Sequence, residues 1–249
     1  MGLLELQNVT RRFGGIVALD EVSLDVEEGE VAGLIGPNGA GKTTAFNVIT
    51  RLYTPSGGSV RYRGEDLLAS PPHRIVRLGI ARTFQNLELC SAMTVLENVL
   101  VGAHARGRLG NDGTLRGEAL ELLDYLRLGE LADRPAAGLP FGTLKRIELA
   151  RALAAKPKLL LLDEPAGGLN HEEVAELGGL IGRLRGDFDL TILLVEHHMN
   201  LVMSVSDRVT VLNFGRTIAA GTPKEIQSDP AVIEAYLGTG AAAGADAPA

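Results

Sequence analysis

The sequence has 249 residues, 45% of them hydrophobic, which is enough to fill the core of one large domain or two small ones. Its formal net charge of −7 argues against a nucleic-acid-binding protein, and we expect no nucleic acid partner. No apolar run approaches the roughly 20 residues of a membrane helix, so any membrane role is expected to act through partners.

The N-terminal third predicts strands around one glycine-rich loop. Alternating or continuous apolar residues predict strands at residues 3–9, 19–26, 31–35, 59–63 and 80–85. The third strand leads into the loop, and a helix is predicted from Lys42 to about Leu52. The pair Gly57-Gly58 is predicted to be a turn.

A mainly helical segment is predicted from about residue 87 to residue 155. Thr94-Val95-Leu96-Glu97 is a capping box, which starts a helix. Glu118–Leu128 and Leu144–Leu153 repeat apolar residues at helical spacing. The Gly- and Arg-rich stretch Gly102–Gly117 is predicted to be a surface loop between helices.

The last third returns to buried strands that alternate with helices. Strands at Lys158–Leu162 and Leu190–Val195 lead directly into acidic residues, and capped helices start near Asn170 and Thr222. The Ala/Gly-rich residues 239–249 are predicted to be a disordered tail. Strands alternating with helices predict an α/β fold with a mainly parallel sheet, whose functional loops follow the carboxyl ends of the strands.

The glycine-rich loop fits the phosphate-binding pattern G-x-x-x-x-G-K-[ST]. Its backbone N–H groups and the helix N-terminus suit a triphosphate, Lys42 can reach the β- and γ-phosphates, and Thr43 can ligate Mg²⁺. A plain glycine turn is a poorer interpretation, because a strand and a helix flank the loop. The predicted ATP-binding residues here are Gly36, Pro37, Asn38, Gly39, Ala40, Gly41, Lys42, Thr43 and Thr44.

Asp163 and Glu164 end a buried strand, where two carboxylates are unfavourable unless a cation or a proton transfer uses them. Asp163 can hold Mg²⁺ through water, and Glu164 can act as general base toward the attacking water. Taken alone, a helix-capping acid pair explains them about equally well. The phosphate loop upstream favours the catalytic interpretation.

Together these motifs resemble the ATPase subunits of ABC transporters, from about Leu4 to Gly238. In that family the aromatic at Phe13 stacks on adenine, the glutamine at Gln85 touches Mg²⁺ and water, and the histidine at His197 contacts the γ-phosphate. Phe13 could instead be a core aromatic and Gln85 a solvated strand end, and of His197 and His198 only one is expected to face the nucleotide. The other matching segments are the signature Leu139, Pro140, Phe141, Gly142 and Thr143, then Asp163-Glu164-Pro165 and Gly167–Asn170.

The resemblance implies a P-loop NTPase core within one ABC ATPase domain at residues 1–238, with an N-terminal antiparallel β subdomain and the helical subdomain inserted before the signature. It implies hydrolysis of ATP to ADP and phosphate, with Glu164, His197 and Gln85 as catalytic residues and Thr43, Gln85 and Asp163 on the Mg²⁺. The signature acts in trans on the ATP of a second ATPase subunit, identical or different. The common signature is Leu-Ser-Gly-Gly-Gln, so Pro140 lacks the usual serine hydroxyl.

Several segments resemble the branch that imports branched-chain amino acids. Urea and short-amide importers and lipopolysaccharide exporters share much of this pattern, and soluble ABC ATPases remain an alternative. The branch implies transmembrane permease subunits, a separate substrate-binding protein and a peripheral position on the cytoplasmic face of the membrane. The stretch Leu87–Val95 matches the groove that receives a short helix of the membrane subunit. The segments are Arg11–Gly15, Arg82–Asn86, Gly168–Asn170, Val195–His197 and Ile233–Gly238.

Overall fold

A computed structural model describes residues 2–107 and 111–241. The chain divides into two compact units, one made of Met1–Pro72 with Gly178–Ala249 and the other of His73–Leu177. The strands are β1 (Leu4–Phe13), β2 (Ile16–Val26), β3 (Val31–Ile35), β4 (Gly57–Tyr62), β5 (Glu65–Asp66), β6 (Ile80–Arg82), β7 (Leu159–Asp163), β8 (Thr191–Val195), β9 (Arg208–Asn213) and β10 (Arg216–Gly221). The helices are α1 (Lys42–Ile49), α2 (Val95–Ala105), α3 (Asp112–Tyr125), α4 (Phe141–Ala154), α5 (His171–Asp187), α6 (Met199–Val205), α7 (Pro223–Ser228) and α8 (Pro230–Ala241).

The first unit opens with the antiparallel sheet β2-β1-β4-β5. Along β1 the side chains of Leu4 and Leu6 are buried, as the alternating pattern predicts, and Val9 is buried as well because the strand register shifts between Leu6 and Val9. The predicted turn at Gly57-Gly58 is wrong, because both residues belong to β4 and Gly57 pairs with Thr10.

The same unit contains the strands β10-β9-β3-β8. Strand β3 is parallel to both β8 and β9, whereas β10 pairs with β9 in the antiparallel direction. Every residue of β3 and β8 is buried, which explains their continuous apolar sequences. Because Leu34 pairs with Val195, the residues that follow the two strands emerge at the same edge of the sheet.

The second unit combines the parallel pair β6 and β7 with the helices α2, α3 and α4. The predicted helical segment is confirmed, but the predicted loop at Gly102–Gly117 is wrong. Helix α2 continues to Ala105, and α3 begins at Asp112, where the Asn111 side chain accepts the N–H of Thr114. Gly102 serves close packing of helices, since a Cβ there would lie 1.9 Å from the carbonyl oxygen of Arg151.

Helix ends differ from the predictions at two places that matter below. Helix α4 begins at Phe141, inside the signature, rather than at Leu144. Helix α8 runs to Ala241, beyond the predicted start of the tail, and residues 242–249 lie outside the described residues. Within the described part of the chain, no helix has the length and apolar character that a membrane span requires.

Candidate nucleotide-binding site

The phosphate loop lies between β3 and α1 in the first unit. Its backbone requires glycine at Gly36, whose φ is +152° and where a Cβ would lie 2.1 Å from the carbonyl oxygen of Leu212. Asn38, Gly39 and Thr43 are exposed, so the open side of the loop is accessible. The first turn of α1 contains no acidic residue, and its amide dipoles therefore favour an anion.

Lys42 is folded back onto the loop that it follows. Its side chain is only 7% exposed, and Nζ donates to the carbonyl oxygens of Gly36 at 2.6 Å and Pro37 at 3.0 Å. The Pro37 carbonyl also accepts the N–H of Ala40. The lysine cation is thus held directly at the loop whose amides would surround a phosphate.

Phe13, at the end of β1, is the predicted adenine-stacking residue. The ring is 38% exposed and meets Tyr53 edge to face, with the ring centroids 5.1 Å apart. The guanidinium of Arg11 lies 4.4 Å from the Phe13 centroid, and its Nη1 donates to the carbonyl oxygen of Thr54. Phe13 is therefore a surface aromatic fixed from two sides, which excludes the alternative of a buried core residue.

His197 follows β8 in the first unit. The preceding Glu196 is fully buried, and its Oε2 accepts the backbone N–H groups of His197 at 2.9 Å and His198 at 3.1 Å. The two histidine rings are tilted against each other with centroids 4.5 Å apart. His197 is about half exposed, whereas His198 is the N-cap residue of α6. The buried carboxylate thus fixes the turn that carries His197.

In the second unit, Asp163 ends β7 and is 2% exposed. Its Oδ2 accepts from Nη2 of Arg82 at 2.6 Å, and its backbone N–H donates to the Thr83 hydroxyl at 3.3 Å. Its Oδ1 is buried and has no hydrogen-bond partner among the described residues. A buried carboxylate oxygen without a partner is unfavourable, and a hydrated cation would satisfy it.

Gln85 and Glu164 are in direct contact. Nε2 of Gln85 donates to Oε2 of Glu164 at 2.7 Å, so the predicted glutamine and the predicted base lie side by side. The parallel pairing of β6 with β7 explains this, because Arg82 pairs with Leu161 and both strands end at the same edge. Glu164 has a φ of +46°, in the left-handed region that a non-glycine residue rarely occupies, and such strain is frequent at active sites.

The signature forms the first turn of α4. Pro140 is the N-cap residue and provides no side-chain hydrogen bond, and the first turn contains no acidic residue. The backbone N–H groups of this first turn can therefore still bind an anion, although the serine of the common signature is absent. The Phe141 ring packs on the backbone of Gly168, where a Cβ would lie 2.9 Å from Cε1 of the ring.

The structure distributes the predicted site residues between the two units. Phe13, the phosphate loop and His197 belong to the first unit, and Gln85, Asp163, Glu164 and the signature belong to the second. Each unit has donors that suit one part of Mg-ATP: the first has a glycine-dependent amide loop with a lysine, which suits phosphate, and the second has a buried carboxylate oxygen without a hydrogen-bond partner in the part of the chain that the structure describes, which suits the cation. When bound, Mg²⁺ would neutralise charge that develops on the phosphate oxygens.

Sequence reasoning missed the contacts of three residues. Arg11 holds Phe13, Arg82 binds Asp163, and the carboxylate of Glu173 lies 3.4 Å from where a Cβ on Gly142 would stand. Arg11 and Arg82 are two and three residues from predicted site residues, and that proximity was the only available signal. The approach of Glu173 to the signature depends on the direction in which α5 leaves the loop of residues 164–170, and no local sequence pattern predicts that direction.

Two sequence models of known families match the chain. The model of the ABC transporter family matches residues 19–167, and the model of branched-chain amino acid ATP-binding cassette transporters matches residues 216–242. Among curated proteins, the chain is similar to the high-affinity branched-chain amino acid transport ATP-binding protein BraF of Pseudomonas aeruginosa. The two are 45% identical over 95% of this chain and 98% of the relative.

Solved structures give the same picture. The chain is similar to the ADP conformation of an ATP-binding cassette of an ABC transporter, with a TM-score of 0.87 and 34% identity over 96% of this chain and 99% of that one. It is also similar to a dimeric post-hydrolysis cassette bound to ADP and Pi, with a TM-score of 0.80 and 28% identity over 88% of this chain and 98% of that one. The predicted α/β fold class is confirmed.

Proposed function

Because this chain belongs to the ABC transporter family, we propose that it is the ATP-hydrolysing subunit of an importer of branched-chain amino acids. The match of the C-terminal residues 216–242 to the branched-chain family favours this substrate over urea, short amides or lipopolysaccharide. The subunit binds nucleotide and hydrolyses ATP to ADP and phosphate. The observation that carries the hydrolytic role is the contact of Gln85 with Glu164, which follows Asp163, a residue whose Oδ1 has no hydrogen-bond partner within residues 2–107 and 111–241.

Nucleotide binding is assigned to the first unit. The amides of the phosphate loop and Nζ of Lys42 hold the phosphates, and Lys42 exchanges its bonds to Gly36 and Pro37 for bonds to phosphate oxygens. Adenine stacks on Phe13, whose ring Arg11 and Tyr53 already hold in place. Pre-positioned aromatic groups lose little conformational entropy on binding, which supports this assignment.

Hydrolysis is assigned to carboxylate and amide groups of the second unit. Glu164 accepts the proton of the attacking water as general base. Gln85 orients that water, since its amide already donates to the Glu164 carboxylate. By the family resemblance, we also assign Thr43, Gln85 and Asp163 to Mg²⁺ and His197 to the γ-phosphate.

Two of the similar proteins support the assignment of partners. BraF is a component of amino-acid transport, and a similar cassette is dimeric with ADP and Pi. We therefore assign this chain transmembrane permease subunits, a second ATPase subunit and a separate substrate-binding protein, at the cytoplasmic face of the membrane. The signature of each subunit completes the site of the other. The segment Leu87–Met93, with exposed Cys90, Ser91 and Met93, receives a short helix of the permease.

The test is purification of the native complex through a tag on this chain, followed by ATP turnover and amino-acid uptake. We expect permease subunits to co-purify and leucine, isoleucine or valine to stimulate turnover in the presence of the binding protein. Lys42→Ala is expected to weaken ATP binding. Glu164→Gln is expected to keep ATP bound while turnover falls by about 10²–10⁴-fold, the usual effect of losing a general base. Near wild-type turnover by Glu164→Gln, or purification without any membrane subunit, would refute the proposal.

A further inference from the structure

Glu148 is a buried carboxylate in the middle of α4 that takes no part in the proposed chemistry. Its side chain is 1% exposed. One oxygen, Oε1, accepts the backbone N–H of Phe84 at 3.2 Å and lies 3.4 Å from Nη2 of Arg151. Burial raises the pKa of Glu148, whereas the Phe84 N–H and the cations of Arg151 and Lys145 act in the opposite direction. Burying a carboxylate is unfavourable because the group loses its hydration. The hydrogen bonds that Glu148 makes here are therefore expected to have a structural role.

The bonds of Glu148 belong to a larger set directed at one stretch of backbone, residues 84–88, which we call the Gln85 segment. Nζ of Lys145 donates to the carbonyl oxygen of Gln85 at 3.3 Å, and Nη1 of Arg151 donates to the carbonyl oxygen of Glu88. Lys145, Glu148 and Arg151 are spaced by three residues, so they lie on one face of α4. That face therefore holds the backbone before, at and after Gln85, and we call its three side chains the clamp.

The chain beyond the Gln85 segment is held by a second buried polar side chain. Oδ1 of Asn98 on α2 accepts the N–H of Cys90 at 2.8 Å. Its Nδ2 donates to the carbonyl oxygens of Cys90 at 3.0 Å and Thr94 at 2.9 Å. Residues 84–94 contain no α-helix or strand up to the cap of α2. Side chains of α2 and α4 therefore hold the backbone of residues 84–90, and backbone bonds from Ala136 and Ala137 add to them at Met93 and Ser91.

We propose that Glu148 is a positioning residue for Gln85, acting through the backbone of Phe84. Together with Lys145 and Arg151 it makes the Gln85 segment move as one body with α4, the helix whose first turn is the signature. Glu148 touches no reacting atom; it fixes where the Gln85 side chain emerges next to Glu164. The inference rests on the proposed role of Gln85 in hydrolysis.

The direct test of the clamp is hydrogen exchange of the full-length chain, measured on peptides that cover residues 83–89. In Glu148→Ala the Phe84 amide loses its acceptor, and we expect its exchange to accelerate at least about tenfold, the effect of removing a hydrogen bond to a charged group. Glu148→Gln keeps an acceptor oxygen of the same shape and is expected to restore most of the protection. Leu149→Ala is the matched control, because it also truncates a buried residue of α4 but removes no bond to the segment.

The functional test is turnover of the purified transporter complex. We expect Glu148→Ala to lower kcat by about 10²-fold with little change in KM for ATP, as displacement of a catalytic group by roughly an ångström does. Glu148→Gln is expected to stay close to wild type, and Leu149→Ala to lower thermal stability without this loss of kcat. Two results would overturn the proposal. One is an equal rate of hydrogen exchange at residues 83–89 in Glu148→Ala and Leu149→Ala. The other is a Glu148→Ala protein that loses this protection but keeps the wild-type kcat, while Gln85→Ala abolishes turnover. Wild-type turnover by Gln85→Ala would instead refute the proposed role of Gln85. The hydrogen-exchange comparison alone would then decide whether the clamp holds the Gln85 segment.

Discussion

Replacing Gly168 with alanine would place a methyl carbon 2.9 Å from Cε1 of the Phe141 ring, well inside the contact distance of two carbon atoms. Relieving such overpacking typically costs about 1–3 kcal/mol. The φ of +79° adds about 1–2 kcal/mol, because an L-residue is disfavoured in the left-handed region. We therefore expect Gly168→Ala to lower the free energy of unfolding by about 2–5 kcal/mol.

Three further variants separate these contributions. Gly138→Ala is the matched control for backbone strain, because Gly138 has a φ of +77° and a Cβ added there would have no neighbour within 4 Å. It should cost only about 1–2 kcal/mol. Phe141→Ala removes the ring, and Gly168→Ala in that background should also cost only about 1–2 kcal/mol. The coupling energy of the double-mutant cycle then gives the ring contact alone.

Chemical denaturation followed by circular dichroism measures all four variants. A coupling energy between Gly168→Ala and Phe141→Ala that is indistinguishable from zero would refute the reasoning. It would mean that the ring moves away freely and that the signature and the Gly168 loop do not support each other.

Three further predictions concern catalysis and assembly. We expect His197→Ala to lower ATP turnover, measured as phosphate release, while His198→Ala stays near wild type. Equal losses would show that the assignment of His197 is wrong. In a Glu164→Gln background, which removes this chain's own base, ATP turnover should tolerate Pro140→Ser. Gly142→Asp should nearly abolish it, because the substitution brings a negative charge to the phosphate of the ATP on the second subunit. Full activity of Gly142→Asp would show that the segment faces no hydrolytic site. Ser91→Cys should form a disulfide, under mild oxidation, with a cysteine introduced into the short helix of a permease subunit. Absence of cross-links from every position in 87–93 would mean that these residues only pack the second unit.

The sequence was most informative where one local rule decides the structure. The phosphate loop was predictable because its backbone conformation leaves no room for a side chain at its first and last glycines. The residue spacing at Thr94 and Thr222 predicts capping boxes, and both are present. Continuous apolar sequences at β3 and β8 correspond to two fully buried parallel strands. The direct contact of Gln85 with Glu164 follows from their places after neighbouring parallel strands.

Prediction failed where distant residues decide the local structure. Gly102 looks like a loop residue, but it is a close-contact position between helices whose partner, Arg151, is far away in sequence. Gly57 looks like a turn residue, yet pairing with Thr10 draws it into a strand. The start of α4 at Phe141 was missed because proline at the N-cap provides no side-chain signal. Glu148 could not be singled out from sequence, since a glutamate in a helix is ordinarily solvated.

The bonds of Lys42 to its own loop have a consequence for the thermodynamics of nucleotide binding. The ammonium group closes the loop on the carbonyl oxygens of Gly36 and Pro37, so contacts within the chain itself hold the loop. The loop is thus ordered as part of folding, and ATP does not have to freeze it from an ensemble of open conformations. On the proposed assignment, binding replaces the bonds of the lysine to these carbonyl oxygens with bonds to phosphate oxygens, so the lysine contributes to the affinity the difference between the two sets of bonds. Loss of the lysine would then remove both the proposed phosphate cation and two bonds that order the loop, and the association of nucleotide would acquire an unfavourable entropy from ordering it.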